Sequence, residues 1–234
     1  MKTAHGSGDA ALDSELYAVT CEEVVRGFLT GPCEPADLDR ELGCWLPARR
    51  FGVRQGQKTR PVDDFSEAGV NCAFESTETV APADLDFIAA GLRAHMAATL
   101  DLFEMSGVKA TLEQRPKRHA DFANQKILCR LWDLEKAYRQ LASAPKHRSL
   151  AVIAVWSPKA KKLEYYKLAA LPFGASASVL GFNWTSHALC SCLVEIFFVG
   201  ASYFYDDFTV LEFEPLVQSA GFVVNEFSHC LVGA

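Results

Sequence analysis

The stretch Ser202-Tyr203-Phe204-Tyr205-Asp206-Asp207-Phe208-Thr209-Val210 sets two adjacent carboxylates between two runs rich in aromatic and β-branched residues. Such runs form strands, and the Asp pair falls where the turn of a β-hairpin would be. Asp is a good turn former, which is one reading of the pair. The other is that a rigid hairpin presents two carboxylates to a divalent cation. A third acid, Asp133, follows the apolar run Ile127–Trp132. At the end of a strand it would be exposed on a rigid backbone; at the start of a helix over 134–141 it would be an N-cap. If the Asp133 strand lies beside the hairpin, all three carboxylates converge. A Mg²⁺ site needs one or two carboxylates, with water and substrate phosphates filling the other positions. Two such ions can clamp the attacking and leaving oxygens of an in-line displacement at phosphorus. Upstream, Lys58 and Arg60 flank a strand and Arg54 is nearby. Basic forks suit a triphosphate, although each of these residues also fits a solvated surface.

The elements that must hold these residues follow from periodicity. Ser14 to Thr30 has helical spacing at Leu16, Val19, Val24 and Phe28, with Ser14 as N-cap and Gly31-Pro32 as the stop. Pro35 to Leu42 reads as a short helix closed by Gly43. Trp45 to Gln57 is irregular and basic, and Lys58 to Phe65 alternates like a strand that Pro61 confines to an edge. Ala83 to Met105 is the clearest helix, with Leu85, Ile88, Leu92, Met96 and Phe103 on one face. Lys109 to Gln125 reads as a basic loop. After the Asp133 strand, Glu135 to Leu141 looks helical until Pro145. Leu150–Trp156 and Leu163–Leu168 form a hairpin with a basic tip. Leu171-Pro172-Phe173-Gly174 is a turn, and Ala175 to about Phe197 a long helix. Beyond the Asp hairpin, Pro215 to Ala220 allows a turn or two of helix, and Gly221–Asn225 and His229–Val232 read as weak strands. Strands and helices alternate without strict βαβ order. The expected class is α+β, an antiparallel sheet backed by helices.

Bulk properties narrow the choice of function. Half of the 234 residues are hydrophobic, enough for a sizeable core. No apolar run reaches the roughly 18 residues of a membrane span, and the first 13 residues carry no apolar secretory core. The expected location is therefore intracellular, cytoplasm or nucleus, with no membrane partner. The eight cysteines include no CxxC and no zinc spacing, which suits thiols in a reducing compartment. The net charge of −6 is uneven. Residues 1–48 hold three basic against nine acidic side chains, 49–167 twenty against fourteen, and 168–234 none against six. The basic middle is what would meet phosphates, and the acidic end contains the Asp pair.

Four segments in order carry a resemblance: Lys58-Thr59-Arg60-Pro61-Val62-Asp63-Asp64-Phe65, Asp133-Leu134-Glu135-Lys136-Ala137-Tyr138, Leu171-Pro172-Phe173-Gly174-Ala175, and Phe204-Tyr205-Asp206-Asp207. Over about residues 45–211 the chain resembles the fingers and palm of retroelement reverse transcriptases, which are RNA-directed DNA polymerases. The two-Asp motif alone is weak, and the ordered set is far more specific. The resemblance implies a reverse-transcriptase-like fingers and palm fold: N-terminal helices and fingers at 1–80, palm at 81–142, a fingers hairpin at 143–170 and palm again at 171–234. It implies a nucleotidyltransferase using two Mg²⁺ ions held by Asp133 and Asp206, with Asp207 supporting them electrostatically. Arg60, with Lys58 or Arg54, would grip the triphosphate of a dNTP. Tyr138 would exclude a ribose 2′-hydroxyl, or else be a core aromatic facing the sheet. Phe173 and Gly174 would line the nucleotide pocket, a role compatible with an ordinary strand-to-helix turn. Asp63-Asp64 would belong to the fingers strand. Lys159, Lys161 and Lys162 would meet nucleic-acid backbone or form a solvated hairpin tip. The implied partners are a primed RNA or DNA template and dNTPs.

The sequence also departs from that family. A longer palm helix, a glycine turn and a lysine are expected after the Asp hairpin, yet no Lys or Arg follows it and His229 is the only basic candidate. The expectation is a fingers and palm only, without the thumb, RNase H or integrase of that family. The alternative expectation is a truncated, inactive relic that keeps the fold and at most weak nucleic-acid binding. An RNA-dependent RNA polymerase is disfavoured, because Tyr138 would obstruct a ribonucleotide.

Overall fold

The computed structural model describes residues 6–74, 79, 86, 88–94, 126–134 and 136–232. In chain order its elements are α1 (Ala10–Val25), β1 (Leu29–Cys33), α2 (Pro35–Leu42), β2 (Pro47–Gln55), β3 (Lys58–Asp64), β4 (Ile127–Asp133), β5 (Val152–Ser157), β6 (Lys162–Leu168), α3 (Ser176–Glu195), β7 (Gly200–Phe204), β8 (Asp207–Phe213) and α4 (Val217–Val232). Residues 88–94 are helical. Most of the expected helix Ala83–Met105 and all of the loop Lys109–Gln125 lie outside the described residues. The class is α+β. Among the described residues no helix is long and apolar enough to cross a membrane.

The chain divides into two units, residues 1–79 with 136–182 and residues 80–135 with 183–234. In the first, five strands form a mixed sheet in the order β1-β6-β5-β2-β3. β2 and β5 run parallel, and the other neighbours are antiparallel. Pro61 lies on β3, the edge strand, where its missing N–H costs no ladder bond on the open side. The core gathers Leu16, Leu29, Phe65, Ile153, Val155, Tyr166 and Leu168 between α1 and the sheet.

The second unit holds an antiparallel sheet in the order β4-β8-β7. One face, carrying Tyr203, Phe208 and Val210, is buried. The α3 residue Cys190 donates its thiol to the Ala201 carbonyl at 3.4 Å, and His187 meets Tyr203 edge-on at 6.0 Å. A Cβ at Gly221 of α4 would stand 3.1 Å from the Trp132 ring, so the missing side chain is what lets α4 approach β4 closely.

Several expected boundaries are corrected. The N-cap of α1 is Asp9, whose carboxylate accepts from the Ala11 and Leu12 amides; the Ser14 hydroxyl instead donates back to Ala10. The helix ends at Val25, with Gly27 at φ +78° just beyond its Arg26 cap, and Gly31-Pro32 falls within a strand. Trp45–Gln57 is mostly strand β2 rather than irregular. The segment after Asp133 forms a 3₁₀ turn, Ala137–Gln140, without a side-chain cap, so Asp133 ends a strand and caps no helix. Residues expected as two weak strands, 221–225 and 229–232, are one helix with 217–220. Val217, Ala220, Gly221 and Val224 are buried at i, i+3, i+4, i+7 spacing, the stripe of a helix packed on one side.

Candidate active site

The β4–β8 register sets the carboxylates. Asp133 stands directly opposite Asp207, and the pairing continues without a bulge to Ile127 and Phe213. The Leu134 amide donates to the Asp206 carbonyl at 3.4 Å, extending the ladder past the strand end. Directly paired residues project on the same face, with Cβ atoms about 5 Å apart. Asp133 and Asp207 are exposed and Asp206 is half-buried. Three acids from distant parts of the sequence therefore meet at one end of one sheet. The turn is Tyr205–Asp206, since Phe204 and Asp207 are already paired; Asp207 opens β8 rather than completing the turn.

No hydrogen bond or ion pair among the described residues engages these three side chains. Desolvation, then the charges of Asp206 and Asp133, push the Asp207 carboxyl above its ordinary value. The cluster is thus an uncompensated, hard-oxygen donor set of the kind that suits a divalent cation. Among the described residues no three His, Cys, Asp or Glu side chains form a ready-made ligand cage. A magnesium site built from one or two carboxylates, water and phosphate oxygens does not require one.

Tyr205 carries a local cost, because its φ of +55° lies in the left-handed region that bulky side chains avoid. Tyr205→Asn is expected to raise stability by roughly 0.5–1 kcal/mol, read from thermal melting, since Asn tolerates that conformation.

In the first unit a second group assembles. The Arg60 guanidinium lies over the Phe173 ring, 4.9 Å from its centroid. Phe173 meets Tyr138 edge-on at 5.5 Å, and Tyr138 tilts against Phe182 at 4.7 Å. Three residues singled out from sequence, Arg60, Phe173 and Tyr138, thus stand in one row. Arg60 is the exposed end of that row, whereas Tyr138 is only 9% exposed, its ring in contact with both Phe173 and Phe182.

Gly174, φ +97°, presses on β3: a Cβ there would come within 2.5 Å of the Asp63 carbonyl. Gly174→Ala is expected to cost at least about 1–3 kcal/mol in urea unfolding, from left-handed strain with the clash added. Asn71 ties the same turn down, donating to the Gly174 carbonyl at 3.0 Å and accepting from the first amide of α3, Ser176, at 2.9 Å.

The other basic residues are not gathered. Arg54 pairs with Asp9 at 3.1 Å, and Lys162 with Glu34 at 3.5 Å. Lys58, Lys159 and Lys161 are exposed on hairpin ends and form no ion pair among the described residues.

Sequence reading missed the largest polar feature of this unit. Arg50 donates from Nε and Nη2 to the Asp63 carboxylate at 2.6 and 3.0 Å, and from Nη1 to Glu23 at 2.8 Å. Arg139 adds Nη2 to Asp63 at 3.2 Å and an Nε ion pair to Glu23 at 3.4 Å. Burial would raise the Asp63 carboxyl, but Arg50 and then Arg139 outweigh it and hold Asp63 below the usual range. Nothing in local periodicity marks these partners.

No protein-family model matches the chain, and no curated protein is similar to it in sequence.

Proposed function

We propose that the chain is the fingers and palm of a reverse-transcriptase-like nucleotidyltransferase, transferring deoxynucleotides to a primer on an RNA template. The observation that carries this reading is the pairing of Asp133 with Asp207 beside the Tyr205–Asp206 turn. A chain that alternates between two units, with crossings at 79/80, 135/136 and 182/183, also suits fingers set between palm segments.

Asp133 and Asp206 would hold the metal, with Asp207 adding negative charge beside them. Bound magnesium supplies Lewis-acid activation of a hydroxyl and neutralises phosphate charge. The protein's own part is positional. Arg60, steadied on Phe173, would meet the triphosphate with its remaining guanidinium donors. Lys58 and Arg54, exposed on the same β2–β3 hairpin, would add positive potential. Phe173 and Gly174 would shape the nucleotide pocket. Tyr138, backed by Phe182, would be the wall against a ribose 2′-hydroxyl.

The test is Mg²⁺-dependent incorporation of dNTPs on a primed RNA by the purified protein, with Asp206→Asn as control. Incorporation that the control lacks supports the reading. No incorporation at any protein concentration, or equal signal from the control, overturns it. Salt-sensitive RNA binding in that case would leave an inactive relic of the same fold.

A further inference from the structure

One member of the buried cluster of Arg50, Asp63, Glu23 and Arg139 reaches beyond it. Arg139 follows Tyr138 directly on the 3₁₀ turn Ala137–Gln140. Its guanidinium forms an ion pair with Glu23 on α1 at 3.4 Å, donates from Nη2 to Asp63 on β3, and donates from Nη1 to the Leu171 carbonyl at 3.5 Å. Leu171 is two residues before Phe173, and its own amide donates to the Leu141 carbonyl at 2.8 Å. Asp63 shares β3 with Arg60, and its carbonyl is the atom against which Gly174 is pressed. One planar cation therefore joins the three segments that carry Arg60, Tyr138 and Phe173.

We infer that Arg139 is a positioning residue for nucleotide selection: it braces the Tyr138 turn against β3 and the Phe173 turn and so fixes the row Arg60–Phe173–Tyr138–Phe182. The inference rests on the polymerase reading for its functional consequence. The geometry of the brace is independent of that reading. A guanidinium fork is required, because three partners on three segments are reached from Nε, Nη1 and Nη2 at once. A lysine in its place keeps the charge and satisfies part of this set. The row then has freedom to shift, and misplacement on the scale of an ångström costs catalysis about 10- to 100-fold.

The experiment compares wild type, Arg139→Lys and Leu38→Ala. Leu38 is a buried residue of α2, and its truncation serves as a destabilised control. For each protein kcat and KM are measured separately for a dNTP and the matching ribonucleotide on primed RNA. Arg139→Lys is expected to raise KM for the dNTP and to narrow the sugar preference by about 10-fold or more. Leu38→Ala is expected to keep the wild-type preference despite its lower melting temperature. Equal preference in wild type and Arg139→Lys, or equal loss in both variants, overturns the inference while leaving the polymerase reading in place.

A second readout uses fluorotyrosine-labelled protein, with the Tyr138 resonance assigned by its loss in Tyr138→Phe. A single sharp Tyr138 signal that broadens or splits in Arg139→Lys but not in Leu38→Ala supports the brace even if wild type incorporates nothing. In that event the functional reading has failed and the positioning has not. An unchanged signal in Arg139→Lys overturns the positioning itself.

Discussion

Asp63→Asn is expected to lower the unfolding free energy by about 3–5 kcal/mol, the cost of breaking a buried ion pair by removing one partner. The cluster is neutral as it stands, with two guanidinium groups facing two carboxylates. Its side chains are almost fully withdrawn from water, Arg50 at 0% exposure, Asp63 at 1%, Glu23 at 7% and Arg139 at 8%. Asparagine keeps the shape but leaves a buried net positive charge, with only Glu23 to balance two cations. Desolvation of that charge is the dominant penalty. The check is the urea midpoint at constant slope. A loss below 1 kcal/mol would mean that water reaches the cluster. The pH dependence has a definite sign. The folded Asp63 carboxyl is held below the usual carboxylate range, against the upward push of burial, by Arg50 and Arg139. A depressed acid stabilises the fold fully above the unfolded pKa and loses that contribution as pH falls through the folded one. The wild-type advantage should therefore begin to shrink as ordinary carboxylates protonate and continue to shrink until the folded Asp63 itself takes up a proton. The gap between wild type and Asp63→Asn should close only once that proton is bound.

The same cluster explains where sequence reading failed. Strand β2 was not legible because its inward positions alternate Ala48 with Arg50, so its hydrophobic pattern is broken at the residue that matters most. Helix α1 begins four residues before its apolar spacing predicts, because its buried stripe is Asp13, Leu16, Thr20 and Glu23, three of them polar. Polar groups that satisfy one another inside a fold carry no hydrophobic signal, and their partners lie far off in sequence, as Arg139 does from Asp63, 76 residues away. Helix α4 was lost for a different reason. Gly221 reads as a stop, but it is the small residue over which α4 passes Trp132. The strands β3, β4, β5, β6 and β7 were legible within a residue or two, and β8 runs three residues past the Val210 at which its aromatic and β-branched run ends. The carboxylates were legible because a strand that ends in Asp133 and a hairpin that turns at Asp206 constrain each other once they pair. The row Arg60–Phe173–Tyr138 could be named residue by residue, but the buried state of Tyr138 could not, since Phe182 is 44 positions further along the chain.

Asp133→Asn is expected to reduce Mg²⁺-dependent nucleotide incorporation by at least about 10³-fold, the upper end of what removing one preorganised electrostatic group costs. The same change is expected to leave the metal-free protein slightly more stable. Burial, Asp206 and Asp133 together raise the folded Asp207 carboxyl above its value in the unfolded chain. A raised acid is a liability of the fold in its ionised form, absent below the unfolded pKa and complete above the folded one. At neutral pH the Asn variant therefore removes one repulsive neighbour from an exposed pair. The gain is small, roughly a few tenths of a kcal/mol, because solvent screens charges at this position. Mg²⁺ should raise the melting temperature of wild type, since a bound cation relieves the same repulsion, and should raise that of the variant less. A carboxylate kept for structure alone gives the opposite sign: loss of a cap or turn acceptor costs about 0.5–2 kcal/mol and is indifferent to magnesium. Activity and stability are thus expected to move in opposite directions at Asp133, the trade-off of a residue held in place for chemistry. An Asn variant that melts lower, ignores Mg²⁺ and incorporates as wild type does would make Asp133 no more than the last residue of a strand.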